Sequence, residues 1–225
     1  MKSSINDLVD LLFPNCCPGC GQPLVAGERH LCNSCELDLP LFALSEQILD
    51  RFAGRIKLAE ARAYIKFYHG GLAQKLLHSI KYKNNQELGE YLGKMFIAHL
   101  QNSGKFGKPD VVIPIPLHKS KLRVRGYNQS EALARGMANA LGISVDTTSV
   151  IRVKKSETQT KKDRAARWQN VSGIFAVTND SLNNKHILLV DDVITTGATL
   201  EACGQTLLDA GVASLSIAAL AAAML

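Results

Sequence analysis

Residues 188–199 read LLVDDVITTGAT. An apolar run meets two adjacent carboxylates, and a hydroxyl-rich turn with one glycine follows. Ionised Asp191 and Asp192 are acceptor-only groups. Side by side they suit a vicinal diol, each taking a hydrogen bond from one hydroxyl. Thr195, Thr196, Gly197, Ala198 and Thr199 then offer hydroxyls, free backbone amides and a helix start, which together make a phosphate cradle. Gly197 lets the main chain approach such a ligand closely. A sugar phosphate with a free diol fits both halves. A lone Asp-Asp is ordinarily a strand-end turn, and Thr196 or Thr199 alone is ordinarily a helix cap. The complete string carries the weight.

A second cluster lies near the N-terminus. Five of the six cysteines fall within the first 35 residues, in the order Cys16, Cys17, Cys20, Cys32 and Cys35. Cys17-Pro-Gly-Cys20 and Cys32-Asn-Ser-Cys35 are two CxxC pairs. Each turn converges two sulfurs, and two pairs complete a tetrahedral site for Zn²⁺. Four thiolates leave no open position, so the metal's role is structural. Gly21 allows the backbone to curl so that amides can donate to sulfur. Cys16 in a shifted frame and His30 as a substitute ligand are the alternatives. Cys203, alone in a late helical segment, is expected to be a core residue.

The elements that position these groups follow from periodicity. Ile5, Leu8, Val9, Leu12 and Phe13 give a short amphipathic helix ended by Pro14. Ala63, Ile65 and Phe67 alternate as a strand. Leu72, Leu76, Leu77 and Ile80 mark a helix, and Leu88, Tyr91, Leu92, Met95 and Phe96 mark the next. DVVIPIP (110–116) is a buried strand ended by two prolines, and QSEALARGMANAL (129–141) is helical. SVIRV and GIFAV are strand candidates. HILLV is a central strand with the acids leaving its carboxyl end, 198–210 is a helix, and a last strand follows. Strands alternating with helices make an α/β fold with a mostly parallel sheet flanked by helices. Ligands of such sheets bind at the carboxyl ends of strands.

The chain has 225 residues, of which 46% are hydrophobic and 20% charged, which excludes a disordered protein. Two units are expected, an N-terminal helix and zinc module over 1–45 and an α/β domain over 46–225. The net charge of +6 suits an anionic ligand and permits nucleic acid. No targeting segment or membrane span is read from the sequence, and a cytoplasmic location, where thiols stay reduced, is expected.

The 188–199 string resembles the phosphoribosyl pyrophosphate (PRPP) motif of type I phosphoribosyltransferases. IPIPLHKSKLRVRGYNQSEALA (113–134), TQTKKDRAARWQNVSGIF (158–175) and the paired cysteines resemble the ComF family, also called ComFC or GntX, in that family's order. The resemblance implies a zinc knuckle on a type I phosphoribosyltransferase fold, with PRPP and Mg²⁺ bound. It further implies a role in natural transformation, in the uptake and processing of single-stranded DNA, with other competence proteins as partners.

By the same resemblance, the turn after VIPIP is the pyrophosphate loop. It carries Lys119, Lys121, Arg123 and Arg125, then Gly126, Tyr127, Asn128 and Gln129. Tyr127 stands where the family has Phe. The segment 154–170 resembles a loop that closes over PRPP, with Gln159, Arg164 and Arg167 among its candidate contacts. Its six basic and two acidic residues hold +4 of the chain's net charge. Lys161-Lys162 replace a Gly-Leu pair common in the family. Asp191, Asp192, Arg125 and Arg167 are the implied catalytic set.

Phosphoribosyl transfer needs Mg²⁺ on the pyrophosphate, donors around it, negative charge near the sugar and exclusion of water, but no protein nucleophile. The sequence therefore supports two classes. One is an enzyme with an unnamed acceptor, a nucleobase in the salvage version. The other is a module that binds PRPP or DNA without turnover. Direct DNA binding has little support in the residues, since aromatics are 6% and no basic-aromatic interleaving marks a stacking platform.

Overall fold

The computed structural model describes residues 14–42, 46–102, 107–154 and 173–224. The expected helix before Pro14 and nearly all of the 154–170 loop, with Gln159, Arg164 and Arg167, lie outside the described residues.

Five strands form one parallel sheet. They are β1 (Glu60–Phe67), β2 (Val111–Pro114), β3 (Ser144–Val145), β6 (His186–Ile194) and β7 (Ser214–Ala223), in the spatial order β1-β7-β6-β2-β3. The described helices are α1 (Asn33–Leu37), α2 (Glu46–Asp50), α3 (Leu72–Tyr82), α4 (Gln86–Asn102), α5 (Lys119–Arg125), α6 (Gln129–Leu141) and α7 (Ala198–Asp209). SVIRV and GIFAV do not join the main sheet. They pair antiparallel as β4 (Val150–Arg152) and β5 (Phe175–Val177), the two rails of a separate ribbon on either side of 155–172.

The central strands carry apolar side chains to both faces, as a doubly covered parallel sheet requires. Leu188, Val190, Ala218 and Leu220 join one cluster with Leu76, Leu92, Phe96 and Leu133 of α3, α4 and α6. Ile187, Leu189, Leu215 and Ile217 join the other with Phe52, Leu200 and Leu207 beside α7. Helices α4 and α6 cross closely. A Cβ on Gly136 would stand 1.9 Å from the Glu90 carbonyl oxygen, so only glycine fits there.

One row of the sheet is dislocated. The ladders skip Tyr64, Leu220 and Asp192, which lie side by side on β1, β7 and β6. The alternation of faces shifts at that row. Tyr64 and Ile65 both join the first cluster, as do Leu220 and Ala221, whereas strict alternation would part them. Val193 also packs on the first cluster and Ile194 lies in the second. Such a local break re-aims a side chain without ending the strand.

The cysteine segment docks on this body. Cys17, Leu31, Cys32, Cys35 and Leu39 share the first apolar cluster. Tyr91 of α4 donates its hydroxyl to Glu36 at 2.6 Å. The chain leaving the module runs antiparallel to the outer edge of β1, with Phe42 N–H donating to the Tyr64 carbonyl at 2.8 Å. Among the described residues no helix is long and apolar enough to cross a membrane.

Candidate functional site

The acid pair does not leave the strand where the sequence suggested. Asp191 and Asp192 lie inside β6, which continues to Ile194 because β7 runs alongside as far as Ala222 to pair with it. The ordinary alternation of a strand sends the two carboxylates to opposite faces, and the shift of the dislocated row begins only after Asp192. Asp192 faces α3, where the Lys81 ammonium forms an ion pair with Oδ2. Asp191 turns the other way. Its Oδ1 accepts from the Ser130 hydroxyl at 3.0 Å and from the Asp192 amide at 2.9 Å. Arg152 of β4 and the buried thiol of Cys203 on α7 stand near enough to exchange electrostatic influence with it.

Burial pushes the Asp191 carboxyl up to about 7, and the neighbouring Asp192 charge adds to the rise. The Asp192 amide, the Ser130 hydroxyl and the Lys81 charge pull the other way.

After Ile194 the chain turns through Thr195 and Thr196 into Gly197, the N-cap of α7, with φ 79°. A side chain is excluded there twice over. The φ is left-handed, and a Cβ would meet the buried Phe52 ring at 2.7 Å. The turn is stapled from outside by Arg55, whose Nη1 donates to the Thr196 carbonyl at 3.1 Å and to the Arg51 carbonyl at 3.0 Å. Its Nη2 pairs with Glu201 in the first turn of α7. Thr196 Oγ1 accepts from the Ala198 amide at 3.4 Å. The remaining first-turn amides of α7, with the helix dipole behind them, are suited to receiving an anion. Thr195, Thr196 and Ala198 are exposed.

The segment after β2 is not an open loop. His118 caps it by accepting from the Ser120 amide at 3.2 Å, and α5 runs to a left-handed Gly126. The basic residues expected in a loop lie on one short helix, enclosed by two cap signals and with no buried side chain. Arg125 ends it, paired with Gln129 and lying 5.5 Å from the Tyr82 ring of α3. Asn128 accepts from the Ser130 amide at 3.1 Å and donates to the Ile115 carbonyl at 3.0 Å, tying the start of α6 to the end of β2. The Tyr127 hydroxyl is buried without a hydrogen bond among the described residues.

The fold thus brings Asp191, Asp192, the 195–199 turn, Arg125, Gly126, Asn128 and Gln129 to the carboxyl end of the sheet, by the adjacency of β2 and β6. Lys81, Ser130, Phe52 and Arg55 were not read as site residues. Lys81 is simply the basic end of an amphipathic helix, and nothing in the spacing joins it to residue 192.

The second predicted cluster assembles as expected. The sulfurs of Cys17, Cys20, Cys32 and Cys35 all lie within 4.8 Å of one another, with Cys20 and Cys32 at 3.7 Å. Amides of Cys32 and Cys35 donate to the sulfurs of Cys17 and Cys32 at 3.5 and 3.4 Å. Burial opposes ionisation of Cys17, but amides of Cys32, Cys20 and Gly19 outweigh it and bring the thiol down to about 6. Burial and the neighbouring sulfurs push Cys35 far up. Four thiolates so close need a cation between them, and the set fits Zn²⁺. Cys16 and His30 take no part. The Cys16 thiol donates to the Pro14 carbonyl, and the His30 ring packs on Tyr91.

A groove of about 1010 Å³ lies between this module and helices α4 and α6, lined by Glu28, His30, Glu87, Tyr91 and Lys94 among others. Neither the acid pair nor the turn borders it.

Residues 81–224 match the family model of the phosphoribosyl transferase domain. The chain belongs to that family. "Competence protein F" of Haemophilus influenzae is 30% identical over 153 residues, 66% of this chain and 67% of that one, which assigns the chain to the ComF group. "DNA utilization protein YhgH" of Salmonella typhi is 28% identical over 145 residues, 63% of this chain and 63% of its own length. The chain thus spans less than two thirds of the length of that relative. A solved hypoxanthine phosphoribosyltransferase from Staphylococcus aureus shares 21% identity, covering 60% of this chain and 62% of that one at a TM-score of 0.38.

Proposed function

We propose that this ComF-family chain binds PRPP with Mg²⁺ at the carboxyl end of β6 and transfers its phosphoribosyl group to a nucleophile. The observation that carries this reading is a pair of diverging carboxylates, Asp191 and Asp192, on the strand that leads through Thr195 and Thr196 into the left-handed Gly197 at a helix start. In this reading Asp191 and Asp192 accept from the ribose hydroxyls, and the 195–199 turn donates to the 5-phosphate. Arg125 and the other cations of α5 face the pyrophosphate, with Gln159, Arg164 and Arg167 completing that side. Mg²⁺ bound together with PRPP would supply positive charge to offset that of the departing pyrophosphate. The bond from C1 to pyrophosphate breaks with its electron pair, the acceptor's lone pair forms the new bond to C1, and the acceptor's proton is released. The carboxylates' negative charge favours the oxocarbenium character that develops between.

The four cysteines hold structural Zn²⁺ in this reading. The relatives named for competence and DNA utilization support a place in the handling of incoming single-stranded DNA. Titration calorimetry with PRPP and Mg²⁺, followed by pyrophosphate release against nucleobases, amines and single-stranded DNA, tests the proposal. Binding with release identifies the acceptor, binding without any release leaves a non-catalytic PRPP module, and no binding refutes the reading.

A further inference from the structure

Lys81 stands outside the 188–199 motif and outside the basic segment after β2, yet it touches the acid pair. It sits in the last turn of α3, a helix anchored by Leu76, Leu77 and Ile80. A stapled turn follows, in which Asn84 has φ 53° and Asn85 accepts from the Leu88 amide at 3.1 Å. The helix end is therefore held in place while the side chain keeps its flexible four-carbon stem.

Asp192 Oδ2 is buried, and its partner among the described residues is the Lys81 ammonium lying against it. That oxygen is where an incoming hydroxyl would donate. The next residue, Tyr82, lies over Arg125, so the end of α3 sits between the acid pair and the basic helix α5. An ammonium displaced from Asp192 has anionic ligand groups on that side to meet.

We propose that Lys81 is an exchangeable counter-ion: it neutralises Asp192 in the empty site and passes to the ligand's pyrophosphate when the ribose diol takes its place. This inference rests on the PRPP reading of the site. Exchange explains how a buried carboxylate keeps its charge before ligand arrives without that charge being locked away from the diol. It also links recognition of the two ends of the ligand. The diol frees the cation, and only a ligand with a 1-pyrophosphate makes use of it.

The test is a titration of the parent, Lys81→Met and Lys81→Arg with ribose 5-phosphate and, separately, with PRPP and Mg²⁺. The Met variant is expected to bind PRPP about tenfold more weakly. It should bind ribose 5-phosphate as well as the parent or better, because a competitor for Asp192 is gone. Arg should recover part of the PRPP affinity. Equal loss for both ligands means a structural role and overturns the exchange, as does no change for either. Should Lys81→Met fail to fold, Asp192→Asn and Asp192→Asn with Lys81→Met answer the same question without leaving a buried carboxylate unpaired. The second is expected to bind PRPP about tenfold more weakly than the first, with ribose 5-phosphate alike in both. Equal PRPP affinity there overturns the role of Lys81. A parent that binds neither sugar phosphate refutes the reading of the site, and Lys81's role with it.

Discussion

The four-cysteine module and the acid-pair site are both constellations of polar groups within a few ångströms, but they are built by opposite means. The module closes within residues 17–35. Each CxxC turn sets two sulfurs, and nearby amides and a Glu28 carboxylate that accepts from Val25 and Asn33 complete the knuckle. The acid-pair site draws on α3, β6, α6, β4 and the 51–55 turn, which the chain separates by up to 141 residues between Arg55 and Thr196. A local site can be lost without the rest. A site assembled from afar inherits the rigidity of the whole sheet, and the left-handed turn at Gly197 is held against the buried Phe52 ring.

This contrast can be broken in four places, taken here from the largest effect to the smallest. The purified protein should carry about one zinc per chain by elemental analysis. Cys17→Ser with Cys32→Ser should abolish it and expose the module's amides to hydrogen exchange, at a cost of several kcal/mol. Sugar-phosphate binding should survive within a few-fold if the module is as self-contained as its spacing implies. Absence of zinc, or its full retention in the double variant, contradicts the metal site.

Gly197→Val acts on the other region. It combines the left-handed penalty of about 1–2 kcal/mol with overlap on Phe52. We expect about 2–4 kcal/mol of lost stability by denaturant unfolding. Ribose 5-phosphate and PRPP should weaken alike, since both carry the 5-phosphate. Loss of PRPP alone would mean that the turn does not hold that group.

The third place is Asp191. Its carboxyl is raised to about 7 from an ordinary 3.8, so between those values the folded state keeps a proton that the unfolded chain has released. Stability from this group is therefore complete below about 3.8 and is lost as pH rises through 7. Asp191→Asn cannot ionise. Its unfolding free energy should gain on the parent's between pH 4 and pH 8, by on the order of 1 kcal/mol or more. A constant difference over that range would show that burial does not hold the proton.

The smallest effect is at Tyr127, whose buried hydroxyl has no hydrogen bond among the described residues. Tyr127→Phe should be neutral or stabilise by about 1 kcal/mol in thermal unfolding. A clear loss would reveal a partner for that hydroxyl.

Legibility divides along the same line. The CxxC spacing names all four sulfurs because a turn of two residues leaves them nowhere else to go. Helix α6 matches its expected span of 129–141, framed by the Asn128 cap and Gly142. What escaped depended on partners distant in sequence. The acids fall inside β6 because β7 extends far enough to pair beyond them. Lys119–Arg125 is a helix because His118 and Gly126 close its two ends. The antiparallel ribbon of β4 and β5 draws together two segments that the sequence marks as strand candidates without saying which sheet they join. Lys81, Ser130 and Arg55 reach the site only once the sheet order is known, since no periodicity in the chain relates them to residues 191–197.

The central claim is that Asp191 and Asp192 hold a pentose diol, and one comparison tests it most directly. PRPP and Mg²⁺ are titrated into the parent and into Asp191→Asn with Asp192→Asn by calorimetry, with thermal unfolding checked to confirm both are folded. Each lost charge-assisted hydrogen bond is worth roughly 1.5–3 kcal/mol, so the pair should weaken PRPP by tens-fold or more. Equal affinity in the two proteins would show that the carboxylates only build the strand, and the account of the site would fall.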